Sequence, residues 1–217
     1  MIRVLYQNWE KNLDIWKHKL RHLKWVSEYR MNILKSIFDL KGKEILDIGS
    51  GPQFLSDLLK QEGSKVTTLD KFAPADICID INDKFESLLG EKKFDIVVLG
   101  AVIRYIKDIK CFLSKISYFI KDNGYIFMDE FVHNMFNDAF LNFMVSVGAM
   151  ENWPKESFVS LEKIENIISK IKEYRIEKIY SCWPLFYLEG KWIEPVWYTI
   201  IIKKVGEIKR RKKNKNI

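Results

Sequence analysis

Apolar residues recur along this chain with two different periods, and the changes of period mark out its elements. Leu5, Trp9, Leu13, Trp16, Leu20 and Leu23 stand three or four apart, and Val26, Tyr29, Ile33, Leu34 and Ile37 continue the face, with room for a break between the two sets. That spacing predicts helix across residues 5–38. From residue 44 the pattern shifts to short apolar runs of the kind that parallel strands, buried on both faces, display. Such runs fall at Ile45–Ile48, Lys65–Asp70, Ala75–Asn82, Lys93–Gly100 and Tyr125–Asp129. Phe54, Leu55, Leu58 and Leu59 predict a helix to about Gln61, residues 111–120 a second, and Leu161, Ile164, Ile167, Ile168 and Ile171 a third. Arg175–Cys182 and Val196–Val205 read as two closing strands, with Glu189-Gly190 as a turn between them. Strands alternating with helices predict an α/β fold around a mostly parallel sheet.

The stretch Glu44–Gln53 carries the chemistry. An apolar strand runs into Gly49-Ser50-Gly51, and a helix follows. Glycine permits positive φ and lets a ligand approach the backbone, and the C-terminal end of a parallel strand is where open α/β sheets bind ligands. A dinucleotide turn needs a third glycine where this chain has Phe54, and the Gly-Lys-Ser/Thr of a phosphate-binding loop is absent. Asp70 stands 23 residues after Asp47, at the end of the second strand. A βαβ unit places a carboxylate there to accept from ribose hydroxyls.

Asp47, Gly49 and Gly51 resemble the first motif of class I S-adenosylmethionine-dependent methyltransferases, whose form is hydrophobic-hydrophobic-Asp/Glu-hydrophobic-Gly-x-Gly-x-Gly; Gln53 departs from its last glycine. The resemblance extends in order through the strand-two acid Asp70, the Asp80-Ile81 pair, the segment Ala101–Asp108, the Lys121–Gly124 turn and the two-strand finish, from about Ile45 to Val205. It implies a three-layer α/β/α sandwich with a seven-stranded sheet in the order 3-2-1-4-5-7-6, the last strand antiparallel. It further implies methyl transfer from S-adenosylmethionine, with S-adenosylhomocysteine as product. The implied cofactor-binding residues are Arg30, Asp47, Gly49, Ser50, Gly51, Asp70, Lys71, Asp80, Ile81 and Gly100. Among them Asp80 would accept from the adenine amino group, Ile81 would pack on the ring, and Arg30 would meet the methionine carboxylate. Tyr105 stands where many small-molecule members carry a histidine. Tyr105 and His133 are the candidates for a general base. Neither the Asn/Asp-Pro-Pro-Tyr/Phe of nucleic-acid amino methyltransferases nor the Pro-Cys of cytosine-C5 enzymes is present. A small metabolite or glycan precursor is therefore the favoured acceptor. An RNA methyltransferase guided by a basic tail, and a non-catalytic binding module on the same fold, are the alternatives. A nicotinamide-dependent oxidoreductase is disfavoured by Phe54 and the two-strand finish.

Charge divides the chain. Of 217 residues, 36 are Lys or Arg and 29 Asp or Glu, a net charge of +7. Residues 203–217 hold eight basic residues against one acid and residues 1–43 ten against four, which leaves −6 for the middle. The basic character thus belongs to the two ends. Residues 1–40 are expected to form a helical cap, 41–205 the Rossmann-like domain with a substrate-side insertion at 130–160, and 206–217 a disordered tail. That tail is also a candidate contact for nucleic acid or anionic membrane. Trp9, Trp16 and Trp25 among lysines would suit a membrane interface. His18 and His22 share a helical spacing, yet no third ligand is spaced with them, so no metal site is expected. Cys78, Cys111 and Cys182 are read as reduced, buried residues. With no long apolar run and no secretory leader pattern, a cytoplasmic location is expected. Oligomeric state is not legible.

Overall fold

A computed structural model describes residues 21–72, 74–131, 159–182, 187–188, 191–192 and 197–206. Helix α1 (Arg21–Ile37) precedes strand β1 (Glu44–Ile48), helix α2 (Phe54–Gln61) and strand β2 (Lys65–Asp70). A two-residue strand β3 (Ile77–Cys78), a single turn of helix α3 (Glu86–Leu89) and strand β4 (Phe94–Gly100) follow. After a 3₁₀ turn at Ile103–Tyr105 come helix α4 (Ile109–Phe119), strand β5 (Ile120–Phe131), helix α5 (Leu161–Ser169) and strand β6 (Tyr174–Cys182). Strand β7 (Tyr187–Leu188) pairs antiparallel with β8 (Lys191–Trp192), the Glu189-Gly190 step read as a turn lies outside the described residues, and β9 (Trp197–Lys204) ends the described fold.

The seven-stranded sheet has the order β3-β2-β1-β4-β5-β9-β6. With β9 counted as its seventh strand, this is the expected 3-2-1-4-5-7-6. Strands β1 to β5 pair in parallel, and β9 runs antiparallel to both neighbours. Strand order reverses between β1 and β4. Their C-terminal ends, at Gly49 and Gly100, therefore flank the crevice where such sheets bind ligands.

Alternation along β4 shows how the layers form. Ile96 and Val98 face a core shared with α1 and α2 through Leu34, Leu55 and Leu59, while Val97 and Leu99 face a core shared with α4 and α5 through Leu113, Ile116 and Ile164. The same period of two sends Phe127 to the first core and Ile126 and Met128 to the second. Ser160 caps α5, accepting from Lys163 N at 3.2 Å, and Asp108 caps α4, accepting from Cys111 N at 2.9 Å.

Three local expectations are corrected. The third strand, read over Ala75–Asn82, is two residues long, because Asp76 turns back to bond Thr68 N and Thr68 Oγ1 and Asp80 is drawn into a turn with Asn82. The Lys121–Gly124 segment does turn, with Asn123 at φ 62°, but it lies within the span of the fifth strand and not ahead of it, as an unpaired excursion between Ile120, opposite Phe94, and Tyr125, opposite Ile96. Cys78 and Cys111 are exposed, not buried. Cys78 lies on the short edge strand and Cys111 on the solvent side of α4. The N-terminal segment before residue 21, with His18, and the basic tail from 207 lie outside the described residues, as does His133.

Candidate active site

The glycine turn is held open by its own backbone. Gly49 (φ 74°) and Gly51 (φ 51°) both occupy the left-handed region. A β-carbon at Gly49 would fall 2.7 Å from Val102 Cγ2, so the turns after β1 and β4 touch here and need glycine. At Gly51 no atom of the described residues beyond its chain neighbours lies within 4 Å of where a β-carbon would stand. That face is open. Ser50 Oγ is buried and has no hydrogen-bond partner among the described residues. An open left-handed turn beside an orphaned hydroxyl fits a polar ligand seated on it.

Gln53 explains the departure from glycine. It keeps the left-handed backbone that a glycine would take (φ 63°, ψ 18°), and its amide donates to Pro74 O at 2.6 Å and Thr68 Oγ1 at 3.3 Å. The side chain thus ties the loop after β2 to the glycine turn. These bonds offset a backbone conformation that costs a non-glycine residue about 1 kcal/mol.

Asp70, at the end of β2, closes the turn from the other side. Its Oδ2 accepts from Gly51 N at 2.9 Å and its Oδ1 from Phe72 N at 3.0 Å. Burial raises its pKa, and these N–H groups work against that rise. Each oxygen retains lone-pair capacity for a further donor. Beyond it, Asp80 accepts from Asn82 N and Asn82 Nδ2, both at 3.0 Å, and from Lys71 Nζ at 3.0 Å. The Asn82 backbone N–H is the main reason that the Asp80 carboxyl is held below its usual range. Ile81 beside it is partly buried against the core.

At the crevice floor, Arg30 reaches from α1 across the end of β4. Its Nε donates to Asp129 Oδ2 at 2.6 Å, and its guanidinium lies 5.3 Å from the Trp197 ring centre. Gly100 makes this approach possible: a β-carbon there would stand 2.9 Å from Arg30 Cζ. Asp129 is fully buried and also accepts from Ala101 N at 3.0 Å; burial raises its pKa and Arg30 opposes the rise. Asp47 lies within the same electrostatic field. It is 3% exposed and accepts from Ser56 Oγ at 2.5 Å, and its pKa is pushed up to about 6, chiefly by burial.

The loop after β4 is anchored below by a buried ion pair. Arg104 bonds Glu130, which follows Asp129 on β5, and both side chains are almost wholly enclosed. Tyr105, next in sequence, is 49% exposed. Beside this turn opens a groove of about 410 Å³ whose lining includes apolar Ile103, Ile106 and Val159 together with Lys107, Asp108, Lys110 and Lys163. Tyr198 OH fixes Val159 by donating to its carbonyl at 2.8 Å.

The fold therefore brings together Arg30, Asp47 and Gly100, sets Gly49, Ser50 and Gly51 against Asp70, and pairs Lys71 with Asp80. It also supplies participants that sequence reasoning did not single out: Asp129, Glu130, Arg104, Trp197 and Asn82. The signal for the first two was an apolar strand, Tyr125–Met128, ending in consecutive acids. Buried charges of that kind call for partners. Among the described residues no cluster of His, Cys, Asp and Glu is arranged to hold a metal, and no described helix is long and apolar enough to cross a membrane.

A seven-stranded sheet of this order, with a glycine turn after its first strand and an acid after its second, defines a class, and comparison with known proteins gives the family. The sequence profile described as a methyltransferase domain matches residues 17–168, and the chain belongs to that family. It is similar to a tRNA U34 carboxymethyltransferase of Sulfurovum sp. (strain NBC37-1), at 24% identity over 70% of this chain and 59% of that protein. It is also similar to a ubiquinone biosynthesis O-methyltransferase of Pelagibacter ubique (strain HTCC1062), at 28% identity over 51% of each chain. This chain thus spans about half the length of the curated relatives it matches. Among solved structures it resembles magnesium protoporphyrin IX methyltransferase of Synechocystis PCC 6803 with bound S-adenosylhomocysteine, with a TM-score of 0.59 at 13% identity over 94% of this chain and 99% of that one. At that identity the likeness speaks for the fold.

Proposed function

We propose that this protein is an S-adenosylmethionine-dependent methyltransferase acting on a small-molecule acceptor. The observation that carries the reading is the open Gly51 face, opposed by Asp70 and lying in the same crevice as Arg30. Bound there, the cofactor would supply a methyl group already activated by its sulfonium, so the protein's part is to align the partners and exclude water. The backbone of Gly49, Ser50 and Gly51 cradles it. Asp70 accepts from the ribose hydroxyls. Asp80, held anionic by Asn82, accepts at the adenine edge, with Ile81 against the ring and Lys71 beside them. Arg30, oriented by Asp129 and given room by Gly100, takes the methionine carboxylate. Asp47 shapes the field of this pocket from beneath.

A hydroxyl acceptor would need a base; an amine arriving neutral would not. Tyr105, exposed beside the groove, and His133 are the candidates for that base. The groove's isoleucines and its three lysines, which outnumber the single acid Asp108, support an acceptor with an apolar body and an acidic group. Relatives named for ubiquinone biosynthesis point to small acceptors, while the tRNA-modifying relative and the basic tail keep RNA as the competing reading.

The test is transfer of labelled methyl from S-adenosylmethionine into fractionated pools. The reading expects label in an acidic small-molecule fraction and none in tRNA. Label in tRNA would replace the small acceptor. No transfer to any pool by folded protein that binds S-adenosylhomocysteine would favour a non-catalytic module. His133→Ala is expected to lower turnover without weakening cofactor binding.

A further inference from the structure

Two loops meet at the mouth of this site, and one side chain joins them. Asn82 sits on the turn after β3, next to Ile81. Its Nδ2 donates to Tyr105 O at 2.9 Å, and its Oδ1 accepts from Lys107 N at 2.9 Å. The same Nδ2 donates to Asp80 Oδ1 at 3.0 Å, and so does the Asn82 backbone N–H. One planar amide therefore grips the backbone of the loop after β4 on two sides of Ile106 while holding the carboxylate on its own loop. The chemistry needs an amide: a carbonyl at Tyr105 asks for a donor and an N–H at Lys107 for an acceptor, and asparagine supplies one of each at the required separation. An aspartate would set an anion against the Tyr105 carbonyl.

From this geometry we infer that Asn82 is a positioning residue that couples occupancy of the cofactor site to the placement of Tyr105 and Lys107 on the acceptor side. The inference rests on the proposed binding of S-adenosylmethionine at Asp80 and Ile81. A ligand there steadies Asp80, and Asp80 holds both the side chain and the backbone of Asn82. The amide then presents its outer edge in one orientation to the second loop. Asn82 is exposed, and hydrogen bonds within reach of water are modest in net strength. All four bonds are formed in the structure, but an exposed clasp of this kind leaves room for a ligand to tighten it, whereas a buried brace like the Arg104–Glu130 pair leaves little to shift. Coupling of this kind is reciprocal, so an acceptor that orders Tyr105 and Lys107 tightens the cofactor in turn. Cofactor bound first thus completes the wall of the groove in which Lys107 lies.

Hydrogen exchange read by mass spectrometry on the whole chain, with and without S-adenosylhomocysteine, tests this. In the wild type the ligand should slow exchange at residues 47–53 and 78–83 and also at 102–108. At saturating S-adenosylhomocysteine, Asn82→Ala should keep the protection at 47–53 and lose the ligand-dependent protection at 102–108. Asn82→Asp keeps an acceptor for Lys107 N but has no donor for Tyr105 O, and should behave like the alanine variant. A merely structural role would change exchange at 102–108 equally with and without ligand. Wild-type protection confined to 47–53 and 78–83, or ligand-dependent protection at 102–108 that survives in both variants, overturns the coupling while leaving the cofactor reading intact. Protection nowhere in the wild type overturns both.

Discussion

The guanidinium of Arg30 lies where a side chain at position 100 would begin, 2.9 Å from the place of a β-carbon on Gly100. Those two residues stand 70 positions apart, and the missing side chain of one makes the space that the other fills. The contact joins α1 to the end of β4 and directs a cation into the crevice between β1 and β4. Its other anchor is Asp129, fully enclosed at the end of β5.

That arrangement separates stability from binding. Arg30→Ala leaves the Asp129 carboxylate buried without its counter-ion, which costs about 3–5 kcal/mol in comparable pairs. Adding Asp129→Asn removes the charge, keeps an acceptor for Ala101 N, and should restore at least about half of the loss by the same reasoning. S-adenosylhomocysteine affinity should stay down about tenfold or more in both variants, as loss of a charged hydrogen bond requires. Urea unfolding and calorimetry give the two readouts. A double variant no more stable than the single one would contradict the pairing.

Gly49 and Gly51 share a positive φ but differ in what surrounds them. Gly49→Ala drives a methyl into Val102 and should destabilise by about 2–4 kcal/mol through backbone strain and overpacking together. Gly51→Ala meets no atom of the described residues, and its cost in stability should stay near the 1–2 kcal/mol of left-handed strain alone. Its effect should fall instead on ligand binding, because the methyl projects into the open face. Thermal melts and ligand titration of the two variants should rank them in opposite orders. The same rank on both measures would remove Gly51 from the ligand surface.

Asp47 links stability to pH. Burial raises its pKa to about 6, against Ser56 and Arg30 and with Asp70 and Asp129 adding to the rise. The folded protein holds this proton more tightly than the unfolded chain, whose aspartates titrate near 3.9. The stability so gained is full below about pH 4 and is lost as pH rises through about 6. Asp47→Asn has no such loss. It should exceed the wild type at pH 8 by up to about 3 kcal/mol, and the gap should close toward pH 4. Unfolding curves at pH 4.5 and pH 8 measure it, and an equal gap at the two values would contradict the assignment.

Much of this was legible in the sequence, and the unread part has a common physical cause. The glycine turn and the Asp70 carboxylate follow from local pattern and fixed spacing within a βαβ unit, the strand order was implied by the family resemblance, and the structure has all three in place. Arg30 was named through the family resemblance, but its partner was not, because Asp129 lies 99 residues away and only the sheet order brings the end of β5 beside α1. Arg104 and Glu130 escaped notice for the same reason. Gln53 looked like a weakness in the motif; its compensation lies in Pro74 and Thr68, which no spacing rule connects to it. Cys78 and Cys111 were misjudged because residue type was allowed to stand for burial, whereas Cys78 is on an edge strand and Cys111 on the outer side of its helix.

The most direct test of the central claim is calorimetric titration of S-adenosylhomocysteine into the wild type and into Asp70→Ala, with a melting curve for each. The account predicts one site per chain with micromolar affinity in the wild type, and loss of at least tenfold in an Asp70→Ala protein that still melts cooperatively. A cooperatively folded wild type that takes up no S-adenosylhomocysteine, or an Asp70→Ala protein that binds it as tightly as the wild type, would contradict it.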